Sequence, residues 1–170
     1  RAQQLLSNNT QLLFRSGETF GTNTGLTDSY TNTTIGSYGS GANPILRWTG
    51  NLQDGTAFIS TSPATQNLTV QNLQFDAGVT NQNNMPSGLN AAGHDIAIRN
   101  CVFLNIGDAI NANGAPDGLL VQNNSSPNVE GLYAYFVWLQ GSDSVIIGNT
   151  VANSTRQHDI RASFGYTRTL

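Results

Sequence analysis

Short apolar runs of period two recur along the chain, each closed by a polar bend. LTVQN (Leu68–Asn72) returns as IAIRN (Ile96–Asn100), LLVQN (Leu119–Asn123) and VIIGN (Val145–Asn149). Positions one and three of every copy are apolar: Leu68 and Val70, Ile96 and Ile98, Leu119 and Val121, Val145 and Ile147. Such alternation marks a strand with one face turned inward. The asparagine at position five shares that parity. The pattern therefore predicts that Asn72, Asn100, Asn123 and Asn149 begin inward at a bend. There an amide can bond the main chain and the next amide in a stack.

Successive copies start 28, 23 and 26 residues apart. ILRWT, from Ile45, fits one earlier copy with Thr49 at the asparagine position, and Thr169 opens a later one. A second strand precedes the anchors: AFIST (Ala57–Thr61), DAINAN (Asp108–Asn113), YFVWLQ (Tyr135–Gln140) and HDIRAS (His158–Ser163). Counting back from the anchors puts Ile59, Ile110, Phe136 and Ile160 in one inward column. Thr61, Leu89, Ala112, Trp138 and Ala162 fall in another. SPATQ, AGHD, GAPDG and GSDS read as turns. Short strands in repeats of this length, with no helical period, predict a parallel β-solenoid. An antiparallel sandwich is the alternative, but it gives no reason for equivalent residues to return to one corner.

Residues 1–44 read as an amino-terminal cap with a Gly/Thr/Asn-rich loop, and residues 45–170 as the rungs. A short helix over Ala2–Ser7, a strand–Gly turn–strand over Gln11–Phe20 and a loop over Gly21–Gly41 would cover an open sheet edge. At the other end the chain stops inside a repeat that has just begun. That predicts a partial coil from a longer protein, or an edge covered by something else, including self-association through the last rung.

Composition narrows the function classes. Only 10% of the 170 residues are charged, the net charge is -3, and all seven basic residues are arginine. A nucleic-acid footprint needs clustered positive charge, so none is expected. No apolar run is long enough to span a membrane. Cys101 stands alone, which excludes an internal disulfide and a cysteine zinc site, and its place in the repeat suggests a small core residue. A surface of amides and hydroxyls suits an extracellular or cell-surface protein facing carbohydrate.

The LTVQN, IAIRN and VIIGN strands, the asparagine corners and the opening LLFRSGETF (Leu12–Phe20) together resemble the right-handed parallel β-helix superfamily, the pectate-lyase-like group. The resemblance covers about Leu12 to Leu170. The opening looks like the FRxGxTF start of secreted bacterial β-helix proteins, and Tyr135–Arg161 is similar to a segment of large bacterial members. The resemblance implies an all-β coil and chemistry on polysaccharides, either cleavage or epimerisation. Its lyases often use Ca²⁺ held by Asp or Glu with an Arg or Lys base, and its glycosidases use clustered Asp. The chain has no Asp-Asp pair, no DPHD-like sequence and no dense acidic cluster. No metal ligands and no cofactor are assigned on this basis. Ca²⁺ near the turn aspartates Asp117 and Asp143 is the weaker alternative, with too few oxygens for a full site.

The columns nominate a site on the strand that precedes the asparagine bend. If Ile160 and Ala162 face inward, then Asp159, Arg161 and Ser163 face outward. Asn111 and Asn113 fall beside them, and Asn90 one copy further along. Arginine offers a planar fork to carboxylates, and an adjacent aspartate can act as acid or base. The catalytic candidates are Asp159, Arg161 and His158. The substrate-binding candidates are Asn90, Asn111, Asn113 and Tyr135. An ordinary exposed ion pair on a polar face is the competing reading of Asp159 and Arg161. His158 has inward parity and also reads as a hydrogen-bonded core residue, while His94 beside Asp95 is a turn histidine that can ligate or act as a base. Trp138 and Phe136 read as core, and Tyr135 as an exposed platform. NNT, NTT, NLT, NNS, NSS and NST match glycosylation sequons, which arise easily in an Asn/Thr-rich chain.

Two functions follow from different classes. The first is a polysaccharide-binding or polysaccharide-processing protein, a lyase or glycoside hydrolase on acidic polysaccharide. The second is a non-catalytic extracellular surface, adhesion or self-assembling module. Fold alone does not choose between them.

Overall fold

The computed structural model describes residues 2–79, 83–154 and 158–163. It is an all-β parallel solenoid of about six turns, with one short 3₁₀ turn at Ala2–Leu5. The strands form three faces. The first face stacks β1 (Gln11–Arg15), β4 (Thr31–Tyr38), β7 (Gln66–Gln71), the second half of β9 (Ser87–Arg99), β12 (Leu120–Gln122) and β15 (Val145–Ile147). The second stacks β2 (Thr19–Thr22), β5 (Ile45–Trp48), β8 (Gln74–Asp76), β10 (Val102–Ile106), β13 (Ser125–Val129) and β16 (Thr150–Val151). The third stacks β3 (Leu26–Asp28), β6 (Ala57–Thr61), the first half of β9, β11 (Ile110–Asp117), β14 (Val137–Leu139) and β17 (Ile160–Ala162). Every pairing is parallel, which excludes the sandwich.

Each face buries one column of apolar side chains along the axis. On the first face it is Leu12, Ile35, Val70, Ile98, Val121 and Ile146. On the second, Phe20, Leu46, Phe75 and Phe103 stand in register, and the last two rings stack at 5.2 Å between centroids. On the third it is Leu26, Ile59, Leu89, Ile110 and Val137; Ile160 continues the register on the last described rung but stands exposed. Side chains that alternate across each strand make these columns inevitable once the rungs are aligned.

The coil begins earlier than the sequence pattern places it. Residues 1–44, expected as cap and loop, already contribute β1, β2, β3 and β4 to the three faces, and Thr33 is buried in the column that continues to Leu68. Ile45 belongs to the second face, where it pairs with Gln74, and is not a copy of Leu68. The second face as a whole is a third strand per turn that the two-strand repeat does not show.

The asparagine corners are sharper than inward-facing amides. Asn72, Asn100 and Asn123 adopt φ of 55°, 53° and 55°. This is the left-handed region, where asparagine is among the few tolerated side chains. Their side chains lie at the surface, and their N–H groups donate to Arg99, Gln122 and Ile147 of the next rung. In the fourth copy the left-handed position falls to Gly148, one residue before Asn149. One step past the bend stand Asn124, which is buried, and Asn149, which is half-buried. Asn124 Nδ2 donates to the Ile98 carbonyl at 2.9 Å, its Oδ1 accepts from Cys101 N at 2.9 Å, and its main-chain N–H donates to Asn149 Oδ1 at 2.8 Å.

The corner between the third and first faces repeats the same device. Asn9, Asn32, Asn67, Asp95, Gly118 and Asp143 all have positive φ there. Asn32 Nδ2 donates to Asn9 Oδ1, and Asn67 Nδ2 donates to Asn32 Oδ1, at 2.9 and 2.8 Å. A left-handed asparagine, an inward residue and an outward hydroxyl spell N-x-S/T. The sequons at Asn32, Asn67 and Asn123 thus coincide with the coil's bend geometry.

Candidate functional site

The outward column of the third face reads Thr27, Ser60, Asn90, Asn111, Trp138 and Arg161, one residue per rung and in strict register. At one strand spacing per rung, Ser60 and Arg161 lie about 19 Å apart along the axis. The strand parity that sends Ile59, Leu89, Ile110 and Val137 inward sends these side chains out.

Three hollows lie along this column. One of 280 Å³ has Thr27, Ser60, Trp48 and Gly55 on its walls. The next, of 430 Å³, is lined by Thr61, Asn90, Asn111, Asn113 and Gly114. The last, of 150 Å³, is lined by Asp54, Asp108, Asn111, Tyr133 and Trp138. Asn90 Nδ2 donates to the Gly55 carbonyl at 3.2 Å. Asn111 Nδ2 donates to Asp108 Oδ2 at 3.0 Å, while its Oδ1 accepts from Asn113 N at 3.1 Å. These bonds fix the rotamers of both amides, so the column is pre-organised.

The column ends in an aromatic and cationic cluster. Tyr133 stacks beside Trp138 at 6.2 Å between centroids, and Tyr135 lies tilted against it at 6.0 Å. Arg161 sits over Trp138 with its guanidinium carbon 4.9 Å from the ring centre. Its Nη1 donates to the Tyr135 hydroxyl at 3.1 Å. Trp138 Nε1 donates to Ser163 Oγ at 2.9 Å. An arginine held by aromatic faces and a phenol presents a pre-oriented fork to a ligand anion, and the half-buried indole beside it can meet a sugar ring.

Sequence reasoning brings four of its candidates together here: Asn90, Asn111, Asn113 and Arg161. Others lie elsewhere. Tyr135 is buried at 5% exposure and supports Arg161 from below instead of offering an open platform. Trp138, expected in the core, pairs with Asn111 and Arg161 in the outward column, and Leu139 pairs with Ala112 in its place. Phe136 is buried but leaves its expected column to Val137. His158, expected inward, is exposed. Asp159 is exposed just before β17, and its carbonyl accepts from the N–H groups of Phe136 and Val137. The described residues hold three ion pairs, and none joins Asp159 to Arg161.

Two carboxylates escaped the sequence reading. Asp108 is 3% exposed, and its Oδ1 accepts from Tyr135 N at 3.2 Å. Asp54 Oδ1 accepts from Met85 N at 3.2 Å. Both border the hollow beside Trp138. The available signal was position: each aspartate sits a few residues ahead of a third-face strand, and its side chain caps a main-chain N–H of the next rung.

The remaining histidine forms its own corner. His94 Nδ1 lies 3.7 Å from Asp117 Oδ2, and Ser142 Oγ donates to Asp117 Oδ1. The partner of His94 is thus Asp117, one rung on, and not its neighbour Asp95. The carboxylate lies between hydroxyl and imidazole, so the serine bonds Asp117 and not His94. Asp143 pairs in register with Gly118, not with Asp117. Among the described residues, no three His, Cys, Asp or Glu side chains converge as metal ligands, and no helix is long and apolar enough to cross a membrane.

Compared with known proteins, the chain matches no family model, no curated protein and no solved structure.

Proposed function

We propose that this chain binds an extended polysaccharide along the outward column of its third face, as an extracellular protein of the pectate-lyase-like kind. The reading rests on one observation: Ser60, Asn90, Asn111, Trp138 and Arg161 stand in a single register on consecutive rungs. Hydroxyls and amides match sugar hydroxyls, the indole matches a sugar ring face, and Arg161 matches a uronate carboxylate. A linear polymer meets such a column with one contact per rung.

Binding without turnover fits the carboxylates best. Asp54 and Asp108 are each tied to main-chain N–H groups, which holds them as structural acceptors. Cleavage of an acidic polysaccharide is the second reading, favoured by the two carboxylates bordering one hollow next to Trp138.

Affinity electrophoresis against neutral and uronate polymers tests the proposal, with unsaturated and reducing ends assayed in parallel. Retarded migration without new ends supports binding alone. New ends that vanish in Asp108→Asn favour cleavage. Unretarded migration on every polymer removes both.

A further inference from the structure

A fourth cavity lies under the amino-terminal turn, beside the Thr27 end of this column. It encloses 300 Å³. Leu46 and Phe58 form its floor, and both are core side chains at 5% and 1% exposure. Phe14, Phe20 and Leu26 form its walls and are only partly buried. The two phenyl rings meet edge to face at 5.0 Å and 63°. Ala2 and Gln3 close it from above.

Its polar groups face other duties. Gln3 Nε2 donates to the Thr27 carbonyl at 2.8 Å, and Gln3 Oε1 accepts from Thr27 N at 2.6 Å. The glutamine amide thus pairs with the main chain of β3 as a strand would, and it fastens the turn over the cavity. The Thr22 hydroxyl donates to the Thr24 carbonyl. The opposite rim packs tightly on the next rung: a side chain on Gly25 would meet the Ala57 carbonyl at 2.1 Å. None of the lining residues is charged.

We infer that this cavity binds a small uncharged aromatic ligand. A hollow of this size, floored by Leu46 and Phe58, matches the lower range of small-molecule sites. The edge-to-face phenyl pair supplies a slot for a third ring. A charged ligand would lose its hydration with no partner to replace it. The inference rests on inward phenyl and leucine side chains and not on the outward column, so it does not depend on the polysaccharide reading.

Indole, with benzoate as a charged aromatic control, tests it by two-dimensional amide NMR on the whole chain. Indole is expected to shift the amides of Phe20, Leu26 and Gly25 saturably, and benzoate to leave them in place. Leu26→Phe, which fills the cavity from the wall, and Ala2→Phe, which fills it from the roof, are each expected to weaken indole at least about tenfold. The two substitutions enter from different elements, so a folding defect in one leaves the other informative. Unmoved amides with indole, equal shifts with benzoate, or full affinity in both variants would overturn the inference.

Discussion

Arg161 lies over the indole of Trp138 at 4.9 Å, and the two residues are direct register partners on neighbouring rungs. The strand ladder therefore builds the cation–aromatic pair, and the Tyr135 hydroxyl then fixes the guanidinium. Replacing Trp138 by Ala removes both the stacking surface and the seat of Arg161. Polysaccharide affinity is expected to fall about tenfold or more, with the far-ultraviolet spectrum of the coil unchanged. Trp138→Phe keeps the seat and recovers part of the loss. Isothermal titration on a polymer that binds the parent chain checks both variants.

Asn124 offers a stability test inside the wall. Its amide serves the Ile98 carbonyl and the Cys101 N–H, both buried in the core. Asn124→Ala leaves these groups without partners and is expected to cost about 2 kcal/mol in urea unfolding. The exposed neighbour Asn123 gives the control: Asn123→Gly retains the left-handed bend and stays near neutral.

The bend itself is tested at Asn100, where φ is 53°. Asn100→Ala puts a β-carbon into the left-handed region without a compensating amide and is expected to destabilise the coil by about 1 kcal/mol. Asn100→Gly should match or exceed the parent chain. Equal losses from both would mean that the side chain, and not the backbone conformation, holds the corner.

Cys101 reports on the core through pH. Burial pushes its thiol up to about 12 from the model-compound value of 9.0, against weaker opposing hydrogen bonds from the main chain. Between these values the unfolded chain has lost the proton that the folded chain keeps. Folding stability is therefore insensitive to this thiol below about pH 9, and falls as pH rises toward about 12, by about 1.4 kcal/mol per unit at most. Cys101→Ser or Cys101→Ala should flatten that slope. Alkylation at neutral pH is expected only after unfolding.

Much of this architecture was legible in the sequence because strand parity is a local property. Leu68 and Ile96 pair as the repeat predicts, and so do Val70 with Ile98 and Ile98 with Val121. Counting failed where connections changed length. The repeat matches Val145 to Leu119, but the ladder pairs Val145 with Leu120, and Ile147 stands 54% exposed. A one-residue slip in the opposite sense, which pairs Ala112 with Leu139, moved Trp138 from core to surface, since a single step along a strand reverses the face. Trp138 is the residue that turns an amide stripe into a site with a stacking surface, so the slip hid its centre. Asp54 and Asp108 were hidden for another reason. They act through the folding back of connections onto the third face, which no periodicity records.

The central claim is that the third face, and not the first or second, meets polysaccharide. Titrating a bound oligosaccharide into labelled chain, and following every backbone and side-chain amide by NMR, tests it most directly. The account predicts saturable shifts at Ser60, Asn90, Asn111, the Trp138 indole and Arg161, with the first-face residues Thr69, Ala97 and Leu120 unmoved. Shifts confined to the first or second face, or none with any neutral or uronate oligosaccharide, would contradict it.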